Sequence, residues 1–156
     1  MILIKQTHPT ADVVGLDGDP KILATAEAKA AKAGVKIALD HGLAFEIPHP
    51  DRSLDRVVSS LVIQHLTTEN KRRAFKGIGC VLRLGGELHI LDFGQPHNLY
   101  TSIVFPLIGR LEEAVDNVRG WLPALLREVG FDQLDVTRRF TTIFGSLSLY
   151  RAWRPT

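Results

Sequence analysis

The chain has 156 residues, 45% hydrophobic and 23% charged, with a formal net charge of +2. That apolar share and weak charge exclude a disordered chain, and sparse, aperiodic Gly and Pro exclude collagen-like and low-complexity classes. The single cysteine, Cys80, excludes an internal disulfide and fits a reducing cytoplasm, 7% aromatics with weak charge leave no nucleic-acid footprint, and apolar runs such as Ile103–Ile108 fall far short of a membrane span of about 20 residues.

No repeat, linker or charge block divides the sequence, so residues 1–156 read as one cytoplasmic domain. Asp12–Asp17 reads as a short strand, with Val13, Val14 and Leu16 between turn residues. Asp19-Pro20 opens a helix: Asp19 can cap it, and Pro20 suits its first position. Ile22, Ala26, Ala30 and Ala33 share one face, and Gly34 stops the helix. Val35–Leu39 is expected to be a second strand and Leu43–Leu54 a loop. Arg56–Leu61 follows as a third strand, whose Val57-Val58 and Leu61–Ile63 suggest burial on both faces, as in parallel sheets.

Thr67–Leu82 reads as a helix despite Gly77 and Gly79, with Cys80 as a buried apolar residue in it. Gly85-Gly86 is expected to be a turn and Glu87–Phe93 a fourth strand. Leu99–Val115 is expected to be helical with a break at Pro106, and Pro123–Val129 to be a short helix stopped by Gly130. Gln133–Phe140 and Thr142–Trp153 close the chain as two strands, the last alternating Gly145, Leu147 and Leu149 with Ser146 and Ser148 as a half-exposed antiparallel strand does. Strand–helix alternation ending in a strand pair predicts an α/β fold, a mostly parallel sheet with helices on both faces.

Ligands in such sheets bind at the carboxyl ends of strands. Those ends are Asp17-Gly18-Asp19, Gly42-Leu43-Ala44, Ser59–His65 and Asp92-Phe93-Gly94. A carboxylate at Asp17 can accept hydrogen bonds from a ribose diol, as nicotinamide and S-adenosylmethionine sites require; alternatively Asp17 and Asp19 both serve the helix start. Because Asp19 suffices as the cap, Asp17 is left for a ligand. The six histidines form no i, i+4 pair and none stands near Cys80, so no metal site is expected. His65 follows a strand end and could act as a general base; it could equally be a plain helix-entry residue. Ser59-Ser60 is polar at a strand end and, without a partnered base, reads as pocket lining rather than as a nucleophile.

Four segments together resemble a known family: VVGLDGDP (Val13–Pro20), IPHPDRSLDRVVSSLVIQHL (Ile47–Leu66), VLRLGGELHILDFG (Val81–Gly94) and LPALLREVGF (Leu122–Phe131). In order and spacing they are similar to class I S-adenosylmethionine-dependent methyltransferases, in the ubiquinone/menaquinone branch. The resemblance implies a Rossmann-like α/β/α sheet, mostly parallel with an antiparallel C-terminal strand, S-adenosylmethionine as cofactor and a small-molecule methyl acceptor. It implies that Asp17 holds the cofactor ribose with Gly18 beside it, that Leu43 and Ala44 flank the adenine, and that Ser59, Ser60 and Leu61 line the methionine portion. His65 matches a position that often faces the substrate, and Gln95–Gly120 the segment that builds the acceptor pocket.

The sequence departs from the pattern at three places. Leu43 stands where the family usually has Asp, and Leu84 where it has Pro. The family pattern opens with a central strand ending in a Gly-x-Gly-x-Gly turn; here Met1–His8 reads instead as the tail of the helix that follows it, so the domain is expected to be truncated at its N-terminus. Asp12–Asp17 and Arg56–Leu61 should then each lack one neighbour, and an open strand edge invites pairing with a second copy or another chain. Two other classes stay open: a non-catalytic remnant or interaction module, and a nicotinamide-dependent oxidoreductase. The Pro50–Asp55 segment and the terminal strand pair favour the methyltransferase over the latter.

Overall fold

The computed structural model describes residues 1–93, 121–142 and 145–156. The expected helix over Leu99–Val115 and the expected acceptor segment Gln95–Gly120 lie outside the described residues. The chain forms two compact units, Met1–Pro48 and His49–Thr156.

The first unit holds helix α1 (Ile2–Thr7), strand β1 (Val14–Asp17), helix α2 (Pro20–Lys32) and strand β2 (Ala38–His41). Strands β1 and β2 pair in parallel, Val14 opposite Ala38 and Asp17 opposite His41, and α2 packs against both. The Asp19 side chain accepts the Lys21 N–H at 2.8 Å, and Pro20 takes the first turn, where its missing N–H costs nothing. At the other end Val35 N–H reaches Ala30 O and Gly34 N–H reaches Ala31 O, with Gly34 left-handed at φ +65°. This is a Schellman cap, and it explains why β2 begins three residues later than expected: residues 35–37 are spent leaving the helix. Within this unit the buried residues are Gly15 and Ala30, while Leu3 is 73% exposed.

The second unit holds strand β3 (Leu54–Ser60), a 3-10 turn (Ile63–His65), helix α3 (Thr68–Val81), strand β4 (Leu82–Phe93), helix α4 (Trp121–Glu128), and strands β5 (Asp132–Thr142) and β6 (Gly145–Trp153). The sheet order is β3-β4-β6-β5, with β3 parallel to β4 and the other two pairs antiparallel. Thr67 caps α3 by accepting the Asn70 N–H, and the helix runs through Gly77 and Gly79. Gly130, at φ +93°, ends α4, and Phe131 N–H returns to Leu126 O. The core is built from Ala74, Phe75 and Ile78 of α3, Leu122, Leu125 and Leu126 of α4, and Leu88, Ile90, Tyr150 and Ala152 of the sheet.

Three expectations are corrected in this unit. First, β3 is not buried on both faces. Among the described residues it pairs with β4 alone, and Val58 is 58% exposed. Second, Gly85-Gly86 does not separate two elements. The strand continues through it with a break in register, from Leu54 opposite Leu82 to Arg56 opposite Glu87. Gly85 N–H bonds Arg154 O, Arg154 N–H bonds Gly86 O, and a side chain on Gly86 would strike the Arg83 and Asp55 carbonyls. Third, Cys80 is exposed, because it lies on the outer face of α3 between buried Ile78 and Val81. Strand β6 is antiparallel and half-exposed as expected, and its serine face is the covered one: Ser146 and Ser148 are buried with Tyr150 and Ala152.

On the other sheet face a charge cluster spans three strands. Arg151 Nη2 donates to Glu87 Oε1 at 2.6 Å, Arg56 Nε donates to Oε2 at 3.2 Å, and His89 Nε2 lies 2.9 Å from Oε2. The Arg151 guanidinium stacks 4.4 Å from the centre of the Trp153 ring. These contacts, the Arg151 hydrogen bond foremost, hold the Glu87 carboxyl down at about 2, against an ordinary 4.5, while burial pushes the other way.

Candidate functional site

Strand β1 delivers Asp17 to a strand end, where pleat geometry and the following turn leave the carboxylate half-buried. Its Oδ1 accepts the Asp19 N–H at 2.9 Å; among the described residues Oδ2 takes no hydrogen bond. Asp17 therefore shapes the turn with one oxygen and keeps the other as an acceptor, while Asp19 caps α2. The helix-start reading of this acidic pair thus leaves room for the ligand reading of Asp17.

Strand β2 brings the second segment to the same corner. His41 pairs with Asp17 across the parallel ladder, and its Nε2 lies 3.1 Å from Gly18 O. The chain then turns at Leu43–Glu46, closed by Glu46 N–H to Leu43 O. Leu43 folds back over Gly18: a Cβ built on Gly18 would sit 3.0 Å from Leu43 Cδ2, so only glycine leaves this contact undisturbed. Leu43 stays 45% exposed and Ala44 half-buried. The structure thus brings Asp17, Gly18 and Leu43 together, with Ala44 next in the turn.

The corner fits a nucleoside in part. The open Asp17 oxygen can take a ribose hydroxyl, and Leu43 offers an apolar wall to a base but no acceptor for an exocyclic amine. A groove of about 730 Å³ flanks α2 and β2 along Leu23, Ala24, Glu27, Ala31, Val35 and Leu39, and none of the candidate residues lines it.

The remaining candidates sit in the second unit. Ser59 is half-buried and Ser60 exposed at the end of β3; Leu61 follows with φ +57°. His65 closes the 3-10 turn, exposed, with its Nε2 3.1 Å from the Gln64 side-chain amide. Among the described residues no group of three or more His, Cys, Asp or Glu could hold a metal ion, and no helix is long and apolar enough to cross a membrane.

Beside this strand end lies a buried polar stripe that sequence reading did not assemble. Asp92 is fully buried, accepts the Gln64 N–H at 3.1 Å and stands opposite Ser148 in the ladder. Ser148 hydrogen-bonds Tyr150, whose hydroxyl burial pushes above its ordinary range. Lys71 of α3 is also fully buried. The available signal was Asp92 itself, a carboxylate among the apolar residues Ile90, Leu91 and Phe93.

A family profile described as a methyltransferase domain matches residues 1–86. The chain is 30% identical over 118 residues to a demethylmenaquinone methyltransferase of Thermus thermophilus, covering 70% of this chain and 53% of that one. It is 29% identical over 159 residues to the protein of that name from Deinococcus radiodurans, covering 97% and 64%. The chain thus spans 53–64% of the length of these two relatives. Among solved structures, a SAM-dependent methyltransferase of Methanosarcina mazei superposes with a TM-score of 0.74 at 19% identity, over 98% of this chain and 86% of that one. The PH0226 protein of Pyrococcus horikoshii gives 0.71 at 17%, over 99% and 75%. These last two show the fold, a Rossmann-like α/β arrangement. With its profile match covering more than half of the residues, the chain belongs to the class I methyltransferase domain family, whose cofactor is S-adenosylmethionine.

Proposed function

We propose that this chain carries the cofactor-binding framework for S-adenosylmethionine-dependent methyl transfer to a small-molecule acceptor, and that by itself it holds the cofactor weakly. The observation that carries the reading is the Asp17 corner: a strand-end carboxylate with one oxygen spoken for and the other open, beside a glycine covered by Leu43. When bound, the cofactor supplies a methyl group on a sulfonium, open to in-line attack by a nucleophile. The chain's own share is positioning: Asp17 orients the ribose, Gly18 and Ala44 keep backbone close by, and Leu43 packs on the base. The family resemblance assigns Ser59, Ser60 and Leu61 to the methionine portion and leaves His65 as the candidate base. Proximity of this kind is worth up to about 7–11 kcal/mol of a barrier without any covalent step by the protein.

Weak binding follows from two absences in the sequence. No Gly-x-Gly-x-Gly turn stands anywhere in the 156 residues, and Leu43 brings no acceptor. The demethylmenaquinone methyltransferases among the relatives support an apolar aromatic acceptor of that kind. Calorimetry with S-adenosylmethionine tests the reading. The 156-residue chain should bind more weakly than micromolar, and Asp17→Ala should weaken it at least about tenfold further, the loss of a hydrogen bond to a charged group. A micromolar Kd would overturn the weak-binding claim; equal binding by the two proteins would remove Asp17 from the site.

A second reading, a module that pairs through its sheet, rests on β3. Among the described residues its outer edge has no strand partner, and no charge or proline guards it from Val57 to Val62. Light scattering after size exclusion should then show a concentration-dependent dimer, and Val58→Lys should abolish it. A clean monomer at all concentrations rejects self-pairing.

A further inference from the structure

The turn that follows β3 is strained, and a buried carboxylate grips it. Leu61 adopts φ +57°, a left-handed conformation that costs a residue with a Cβ about 1–2 kcal/mol. Such an outlier persists only where its surroundings over-determine it. Here they do so at consecutive residues of β4: Leu61 N–H bonds Leu91 O at 2.9 Å, and Gln64 N–H bonds Asp92 Oδ2 at 3.1 Å. Ile63, between them, is buried in the core. Alternation along β4 puts Leu88, Ile90 and residue 92 on the covered face, so the pattern would place an apolar residue at 92. A carboxylate there is costly to desolvate and is kept only with good hydrogen-bond partners.

We infer that Asp92 is a positioning residue: its carboxylate locks the Leu61–His65 turn in its strained form and so fixes the backbone at the end of β3 that meets the cofactor. The second half of this statement rests on the function proposed above; the locking of the turn does not. An apolar residue at 92 would leave the Gln64 N–H without its acceptor, which is why a carboxylate is informative here. Asparagine can replace the acceptor oxygen and keep the shape; alanine cannot.

Two readouts test the inference in the full chain. In Asp92→Ala the Gln64 amide should exchange with solvent at least tenfold faster, while the amides of Ile90 and Tyr150 in the same sheet keep their protection. In Asp92→Asn the Gln64 amide should stay protected, and its proton resonance should move upfield as the acceptor loses its charge. Titration with S-adenosylmethionine, followed by chemical shifts at Ser59 and Ser60, should show at least a tenfold rise in Kd for the alanine variant and less than threefold for the asparagine variant. Unchanged Gln64 exchange in Asp92→Ala overturns the inference, as does equal loss of affinity in both variants. If the alanine variant does not fold, an unprotected Gln64 amide in the wild type or an unmoved resonance in Asp92→Asn overturns it. If the wild type gives no cofactor response, the function proposed above fails, and amide exchange still decides the turn.

Discussion

Phe75→Ala is expected to destabilise the second unit by about 3–5 kcal/mol, the cost of emptying a large aromatic site in a packed core. Phe75 is fully buried in the middle of α3, a helix that touches both β4 and α4. The cavity cannot collapse cheaply, because its surroundings are ladder-bonded strand on one side and a capped helix on the other. Both tryptophans, Trp121 and Trp153, lie in this unit, so their fluorescence during urea unfolding reports it directly. With a urea dependence of about 1–3 kcal/mol per molar, the midpoint should fall by about 1 M or more. Phe75→Leu, which keeps most of the volume, should lose about 1.5 kcal/mol or less. Equal midpoints for wild type and Phe75→Ala would mean that α3 does not anchor this core.

Glu87→Gln is expected to flatten the acid limb of stability. The Glu87 side chain is 15% exposed and bonded by Arg151, Arg56 and His89; its folded-state value of about 2 lies below the ordinary 4.5 of an unfolded chain. The unfolded state therefore binds the proton first as pH falls. The stabilisation is complete above about pH 4.5 and is lost between there and about pH 2. Full conversion of the shift gives about 3 kcal/mol. Arg56 is 66% and Arg151 36% exposed, and solvent screening reduces this to about 1–2 kcal/mol. Urea midpoints at pH 7, 4 and 2.5 should show the wild type losing that amount more than Glu87→Gln. Parallel curves would show that the cluster adds nothing to folding. Glu87→Ala at pH 7 should cost about 2 kcal/mol, since the Arg151 guanidinium, part-buried on Trp153, is left without its carboxylate.

Local chemistry was legible where it is local. Asp19-Pro20, Thr67, Gly34 and Gly130 each mark a helix boundary with groups a few residues away, and each boundary falls within a residue or two of its reading. The strand-end acid Asp17 was legible for the same reason. What depended on distant partners was not. Val57-Val58 has the composition of an inner strand, yet whether a strand is inner is decided by what lies beside it, not by its own residues. Gly85-Gly86 reads as a turn until Arg154, from the far end of the chain, bonds it into the sheet. The alternation in β6 fixed its period but not its side, so the serines proved to be the buried set. The packing of Leu43 over Gly18 and the Asp92–Gln64 contact are likewise long-range, and only Asp92's presence in an apolar run hinted at the second.

The sparse interior of the first unit carries a thermodynamic consequence. Asp17, Gly18 and Leu43 stand in a segment that buries Gly15 and Ala30 and little else. A region with so few apolar contacts opens at a small fraction of the global free energy. Any ligand gripped by the Asp17 corner then adds RT ln(1 + [L]/Kd) to that local stability, about 2.7 kcal/mol at a hundredfold excess over Kd. In that regime occupancy of the corner and folding of the unit are one equilibrium.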